Sequence, residues 1–150
     1  MRNWRGIVVH HTAGSSTASV DEIDHIHRTE RGFKAIGYHY LIRYASLRRV
    51  WEVQAGRPLT MDGAHCPGAN RTHIGVAVAG DYRWRRPPEL ALSTLVMLLT
   101  DLCATHDIDP NDIIPHSDRR PTECPGDGMR DVMSDIRQRV KSLLPIAAAI

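Results

Sequence analysis

Apolar and polar positions change period along this chain of 150 residues, and each change predicts an element. Ile7, Val8 and Val9 form an apolar run with no polar face, the pattern of a strand covered on both sides. Ser19 followed by Glu22 has capping-box spacing, Val20, Ile23 and His27 keep a helical repeat, and Gly32 stops it, which predicts a helix over Ser19–Arg31. "GYHYLIRY" and "RRVWEVQAG" alternate aromatic or branched residues with polar ones around a turn at Ala45–Arg48, as a hairpin does. By that period of two, Tyr38 and Tyr40 share one face of a strand and His39 takes the other. "HIGVAVAG" is a second buried-strand run. Pro87 and Pro88 precede a long helical stripe of Leu92, Leu95, Val96, Leu99, Leu102, Cys103 and His106. "DIIPH" reads as a short strand ending on His116. A last stripe, Met129, Val132, Met133, Ile136, Val140, Leu143 and Leu144, predicts one helix to the C-terminus. The order β-α-β-β-β-α-β-α, without repeats or a linker, predicts one α/β domain over 1–150. Its architecture is a central mixed β-sheet of about five strands flanked by about three α-helices.

Composition narrows the partners. With 42% hydrophobic and 24% charged residues the chain has the make-up of a packed soluble domain, and a net charge of +2 gives no basis for a nucleic-acid partner. Its apolar stretches read as too short for a membrane span, and Pro145 interrupts "LLPIAAAI". No export-signal pattern precedes the first strand, so synthesis in the cytoplasm is expected. "YRWRR", Tyr82–Arg86, reads as a solvated loop. The three cysteines, Cys66, Cys103 and Cys124, are too few for a disulfide scaffold, and free thiols are expected at Cys66 and Cys103.

Nine histidines are many for this length, and they gather near strand ends and turns. His10 closes the first strand, His116 the last, and Cys124 follows His116 by eight residues through "SDRRPTECPG". Two imidazoles and a thiolate make a three-ligand zinc set whose fourth position is left for water, the arrangement of a catalytic site. His11 cannot share that ion with His10 while the strand stays regular, because neighbouring side chains take opposite faces. Packing or hydrogen bonding on the far side is expected of His11.

Four ordered stretches, "VVHHTAG", "IGYHYLI", "GAHCPGANRTHIGVAVAGDY" and "PHSDRRPTECPG", resemble the zinc-dependent N-acetylmuramoyl-L-alanine amidases related to bacteriophage lysozyme-type amidases and peptidoglycan recognition proteins. The resemblance implies one zinc ion on His10, His116 and Cys124. It places Tyr38 at the family's catalytic tyrosine, donating to the developing oxyanion. Thr122 stands where phage-type members often have lysine and many recognition proteins have threonine; it can hydrogen-bond but carries no charge. Cytoplasmic recycling members have a glutamate where this chain has Ala77, so activation of water falls largely to zinc. Adjacent Glu123 is read as solvent-exposed. His65 and Asn70 match a loop bordering the substrate groove. The activity implied is hydrolysis of the bond between the lactyl group of N-acetylmuramic acid and the L-alanine of the stem peptide, by a monomer acting on the bacterial cell wall as a phage or prophage endolysin. The alternatives are a recognition module that binds peptidoglycan without cutting it and a regulatory partner protein.

Overall fold

The computed structural model describes residues 2–148. Five strands, β1 (Gly6–His11), β2 (Tyr40–Ala45), β3 (Val50–Ala55), β4 (His73–Val78) and β5 (Ile113–Pro115), and the helices α1 (Val20–Arg31), α2 (Glu89–His106), α3 (Asp127–Arg130) and α4 (Met133–Ala148) follow in the order β1-α1-β2-β3-β4-α2-β5-α3-α4. The sheet order is β3-β2-β4-β1-β5. β1 lies parallel to both β4 and β5, β2 is parallel to β4, and the hairpin β2–β3 is the antiparallel edge. All six residues of β1 and of β4 are buried, which is why both strands read as unbroken apolar runs.

Strand alternation divides the interior between two faces. Ile7, Val9, Ile42, Ile74, Val76 and Val78 join Leu95, Leu99, Ile136 and Val140 in the main core under α2 and α4. Leu41 and Ala77 meet Ile23 of α1 on the opposite face, where Val8 packs with Cys66 and Ala69. The α1 boundaries follow their signals: Ser19 Oγ accepts from the Glu22 amide at 3.2 Å, and Gly32 takes φ 68°, the left-handed cap conformation that glycine adopts without strain. α2 is long and apolar enough, by length and composition, to cross a membrane, contrary to the expectation from the sequence. Its apolar positions Ala91, Leu92, Leu95, Val96, Leu99, Leu102 and Cys103 are spent on the core.

Three local expectations are corrected. β2 begins at Tyr40 and not at Gly37, because His39 replaces the ladder there: its amide donates to the Gly75 carbonyl at 2.9 Å and its Nδ1 accepts the Gly75 amide at 3.0 Å. The regular alternation is thereby broken, and Tyr38 packs with the α1 cluster whereas Tyr40 packs on the main core. The last helical stripe is two helices, with Met129 buried in α3 and Val132, Met133, Ile136 and Val140 continuing the same core. The Gly128 amide donates to the Tyr82 carbonyl at 2.8 Å, docking the short α3 while α4 runs beside α2. α4 then continues through Pro145. The predicted end of this helix at 149–150 lies outside the described residues. Lastly, "YRWRR" is not a uniformly solvated loop, since Tyr82 is buried with its hydroxyl donating to the Ala79 carbonyl at 2.6 Å.

Candidate active site

The site lies at the C-terminal ends of the parallel strands, where an open α/β sheet leaves a crevice. β1 projects His10 to the α1 face alongside Val8, whereas His11 projects to the other, where its Nδ1 accepts the Tyr82 amide at 3.1 Å. That bond occupies the imidazole lone pair, and burial lowers the pKa of His11, so its 4.0 Å approach to Asp81 is a contact of a neutral ring. His116 opens a single 3-10 turn directly after β5. The loop that follows folds back so that the His11 amide donates to Cys124 Sγ at 3.4 Å. β1 therefore supplies one donor side chain directly and anchors another through its backbone.

One donor atom from each of His10, His116 and Cys124 lies within 4.8 Å of the other two. His10 Nδ1 is 3.6 Å from Cys124 Sγ. A tetrahedral zinc has ligand-to-ligand edges of about 3.3–3.6 Å, so this pair already has the right separation. His116 Nδ1 is buried with no hydrogen-bond partner, an orphaned atom that a bound ion would satisfy. Burial holds His10 and His116 neutral, with their lone pairs free for a metal. Burial also pushes the Cys124 thiol up to about 12, so in the metal-free chain the sulfur keeps its proton. The donor set and its spacing are of the kind that fits a zinc ion.

Around these donors is an open cavity of about 390 Å³. Tyr38 lines it, with its ring 5.1 Å from that of His10 and 5.5 Å from that of His27. Burial raises the Tyr38 phenol above its ordinary value, so the hydroxyl remains a donor. Thr122 is exposed on the rim, and its Oγ1 accepts the Cys124 amide at 3.2 Å, leaving its own proton directed elsewhere. Glu123 is exposed as expected, and pairs with Arg83 at 3.6 Å across the mouth. Ala77, fully buried, offers no carboxylate.

His65 forms part of the cavity wall, buried beneath His10: its Nδ1 is 2.9 Å from His10 Nε2 and its Nε2 is 3.0 Å from the His73 carbonyl oxygen. Asn70 does not line the cavity. Its Oδ1 accepts the amides of His65 and Cys66 at 2.9 and 2.8 Å, which fixes the loop carrying His65. His27, Arg31 and Arg83 also line the cavity and belong to none of the sequence motifs assigned to the site. Helical spacing from Ile23 to His27 and Arg31 was the available signal for the first two. Arg83 had none, because its placement depends on Asp81, whose carboxylate it grips at 2.7–3.1 Å.

Similarity to known proteins places the chain in a family. Residues 1–127 match the family model described as N-acetylmuramoyl-L-alanine amidase. Peptidoglycan recognition protein 1 of Bos indicus is 35% identical over 138 residues, covering 86% of this chain and 70% of the relative. The endolysin of Enterobacteria phage K11 is 32% identical over 120 residues, covering 76% and 74%. The structure of the N-acetylmuramoyl-L-alanine amidase LysC from Clostridium intestinale superposes with a TM-score of 0.81 at 31% identity, covering 93% of this chain and 87% of that one. The chain belongs to the N-acetylmuramoyl-L-alanine amidase family.

Proposed function

We propose that this chain is a zinc-dependent peptidoglycan hydrolase. It cleaves the amide between the lactyl group of N-acetylmuramic acid and the L-alanine of the stem peptide, and acts as a monomer on the bacterial wall in the manner of an endolysin. The observation that carries this reading is the convergence of His10, His116 and Cys124 within 4.8 Å on the floor of an open cavity. Zinc held by these three residues supplies Lewis acidity toward the scissile carbonyl and lowers the pKa of water to about 7.

The remaining roles belong to the chain. Tyr38, held protonated by burial, donates a hydrogen bond to the oxyanion as the carbonyl carbon becomes tetrahedral. Thr122 orients the same group from the rim through the hydroxyl proton that its bond to the Cys124 amide leaves free. Glu123, the carboxylate lining the cavity among the described residues, is exposed and tied to Arg83, so it is a poor general base. His65 meets substrate through its ring edge, because both nitrogens are engaged, and Asn70 shapes the groove by holding its loop. Binding without hydrolysis is the competing reading, favoured by the 35% identity to a recognition protein.

Purified peptidoglycan separates the two. The intact chain is expected to release new L-alanine amino termini without new reducing sugars, and Cys124→Ser to release none. Retention of peptidoglycan with no amino termini released would assign the chain to recognition.

A further inference from the structure

Zinc ligation by histidine requires a choice of nitrogen, and the nitrogen that is not used must carry the proton. His10 Nδ1 is the atom beside Cys124 Sγ, at 3.6 Å, so Nε2 has to be the protonated one. Nε2 faces neither solvent nor a carboxylate. It faces Nδ1 of His65 at 2.9 Å in a buried contact. Two imidazole nitrogens at that distance need one proton between them, and the far side of His65 decides which ring supplies it.

The His65 Nε2 atom lies 3.0 Å from the His73 carbonyl oxygen. A carbonyl only accepts, so His65 Nε2 carries the hydrogen and His65 Nδ1, in the neutral ring, bears a lone pair. His10 must then donate from Nε2. The direction of the whole chain is set by one backbone carbonyl of β4. Since a carbonyl takes up no proton, the arrangement selects a tautomer and does not conduct protons.

The fold makes specific room for this ring. A Cβ on Gly75 would stand 2.5 Å from His65 Cδ2, and one on Gly63 would collide with the same ring. The His65 and Cys66 amides are tied to Asn70, and the His39 ring closes the third side with centroids 5.8 Å apart. Two glycines, an asparagine clamp and a histidine wall confine His65 to the position from which it reaches His10.

We propose that His65 is a positioning residue for the metal centre, accepting the His10 Nε2 proton so that His10 presents Nδ1 to zinc in a fixed orientation. This rests on the reading of His10, His116 and Cys124 as a zinc site. Hydrogen-bonded partners of metal-binding histidines change metal affinity by about 10–100-fold when removed, which sets the expected effect.

The test uses the full chain and two substitutions, His65→Leu, which fills the space without accepting a proton, and His65→Asn, whose Oδ1 stands near the position of Nδ1 and accepts. Zinc affinity is measured by competition with a chromophoric chelator, and near-ultraviolet circular dichroism checks folding. His65→Leu is expected to weaken zinc binding about 10–100-fold, and His65→Asn to recover most of that loss. In the zinc-free parent, ¹⁵N spectra of the imidazoles are expected to show His10 protonated at Nε2. Equal zinc affinity in parent and His65→Leu, equal losses in both variants, or a His10 proton on Nδ1 would each overturn the proposal. If His65→Leu fails to fold, His65→Asn and the tautomer spectrum decide. A parent chain that binds no zinc would refute the metal-site reading, and the ¹⁵N spectrum would then decide the His10–His65 contact by itself.

Discussion

His10 and His11 are neighbours on one strand and have opposite fates. On the α1 face, His10 meets His65, His116, Tyr38 and Cys124 at the cavity floor. On the other face, His11 gives its lone pair to the Tyr82 amide and packs at the edge of the main core. Both are buried and both are held neutral by desolvation. Chemistry is therefore assigned by which face of β1 a side chain takes, and by what the other strands and loops deliver to that face. On the α1 face the donor atoms of His10, His116 and Cys124 lie within 4.8 Å of one another, the convergence that a metal ion would need.

Substitutions at these two neighbours should have opposite consequences. His10→Ala should abolish zinc binding and lower amidase turnover by at least about 1000-fold, read as released L-alanine amino termini and by metal analysis. His11→Asn, which keeps an acceptor for the Tyr82 amide, should retain zinc and most activity. Tyr38→Phe comes next. Turnover should fall about 100-fold to 1000-fold, the usual cost of deleting one oxyanion donor, with zinc affinity unchanged; a parallel loss of zinc would instead make Tyr38 part of the metal site.

Acid stability gives a smaller effect. His27 Nδ1 accepts the Gly37 amide at 2.9 Å, and burial depresses its pKa from 6.5 to about 4. The unfolded chain therefore binds this proton first as pH falls. The stabilisation is fully present above about 6.5 and erodes toward pH 4, by about 1 kcal/mol per pH unit at most. His27→Asn, which keeps the acceptor and loses the titration, should flatten the fall in Tm across that window. An unchanged slope would place the acid sensitivity elsewhere, with buried His39 the next candidate. The smallest effect is the stability of His11→Asn, expected to drop by about 1 kcal/mol in a urea titration, the net worth of one buried hydrogen bond made less well.

Much of this was legible in the sequence because it rests on short-range rules. Helix α1 carries both caps in its letters, β1 and β4 announce their burial through uninterrupted branched residues, and alternation alone separates His10 from His11. What escaped depended on contacts between distant segments. Alternation fails for Tyr38 and Tyr40 because a histidine side chain replaces one rung of the ladder at Gly75. The break between α3 and α4 follows from docking on Tyr82, more than 40 residues earlier. The contact of His65 with His10 joins residues 55 apart and needs the space above Gly75. Arg83 enters the cavity only through its grip on Asp81 and its pairing with Glu123.

Amide hydrolysis is expected to depend on one zinc ion held by His10, His116 and Cys124. A reconstitution titration decides this, adding zinc to chelator-stripped protein while following L-alanine amino termini released from peptidoglycan. Activity should rise linearly and break at one equivalent per chain, and Cys124→Ser should stay flat throughout. Full hydrolysis by the stripped protein, or equal recovery by Cys124→Ser, would show that hydrolysis does not depend on zinc at this site.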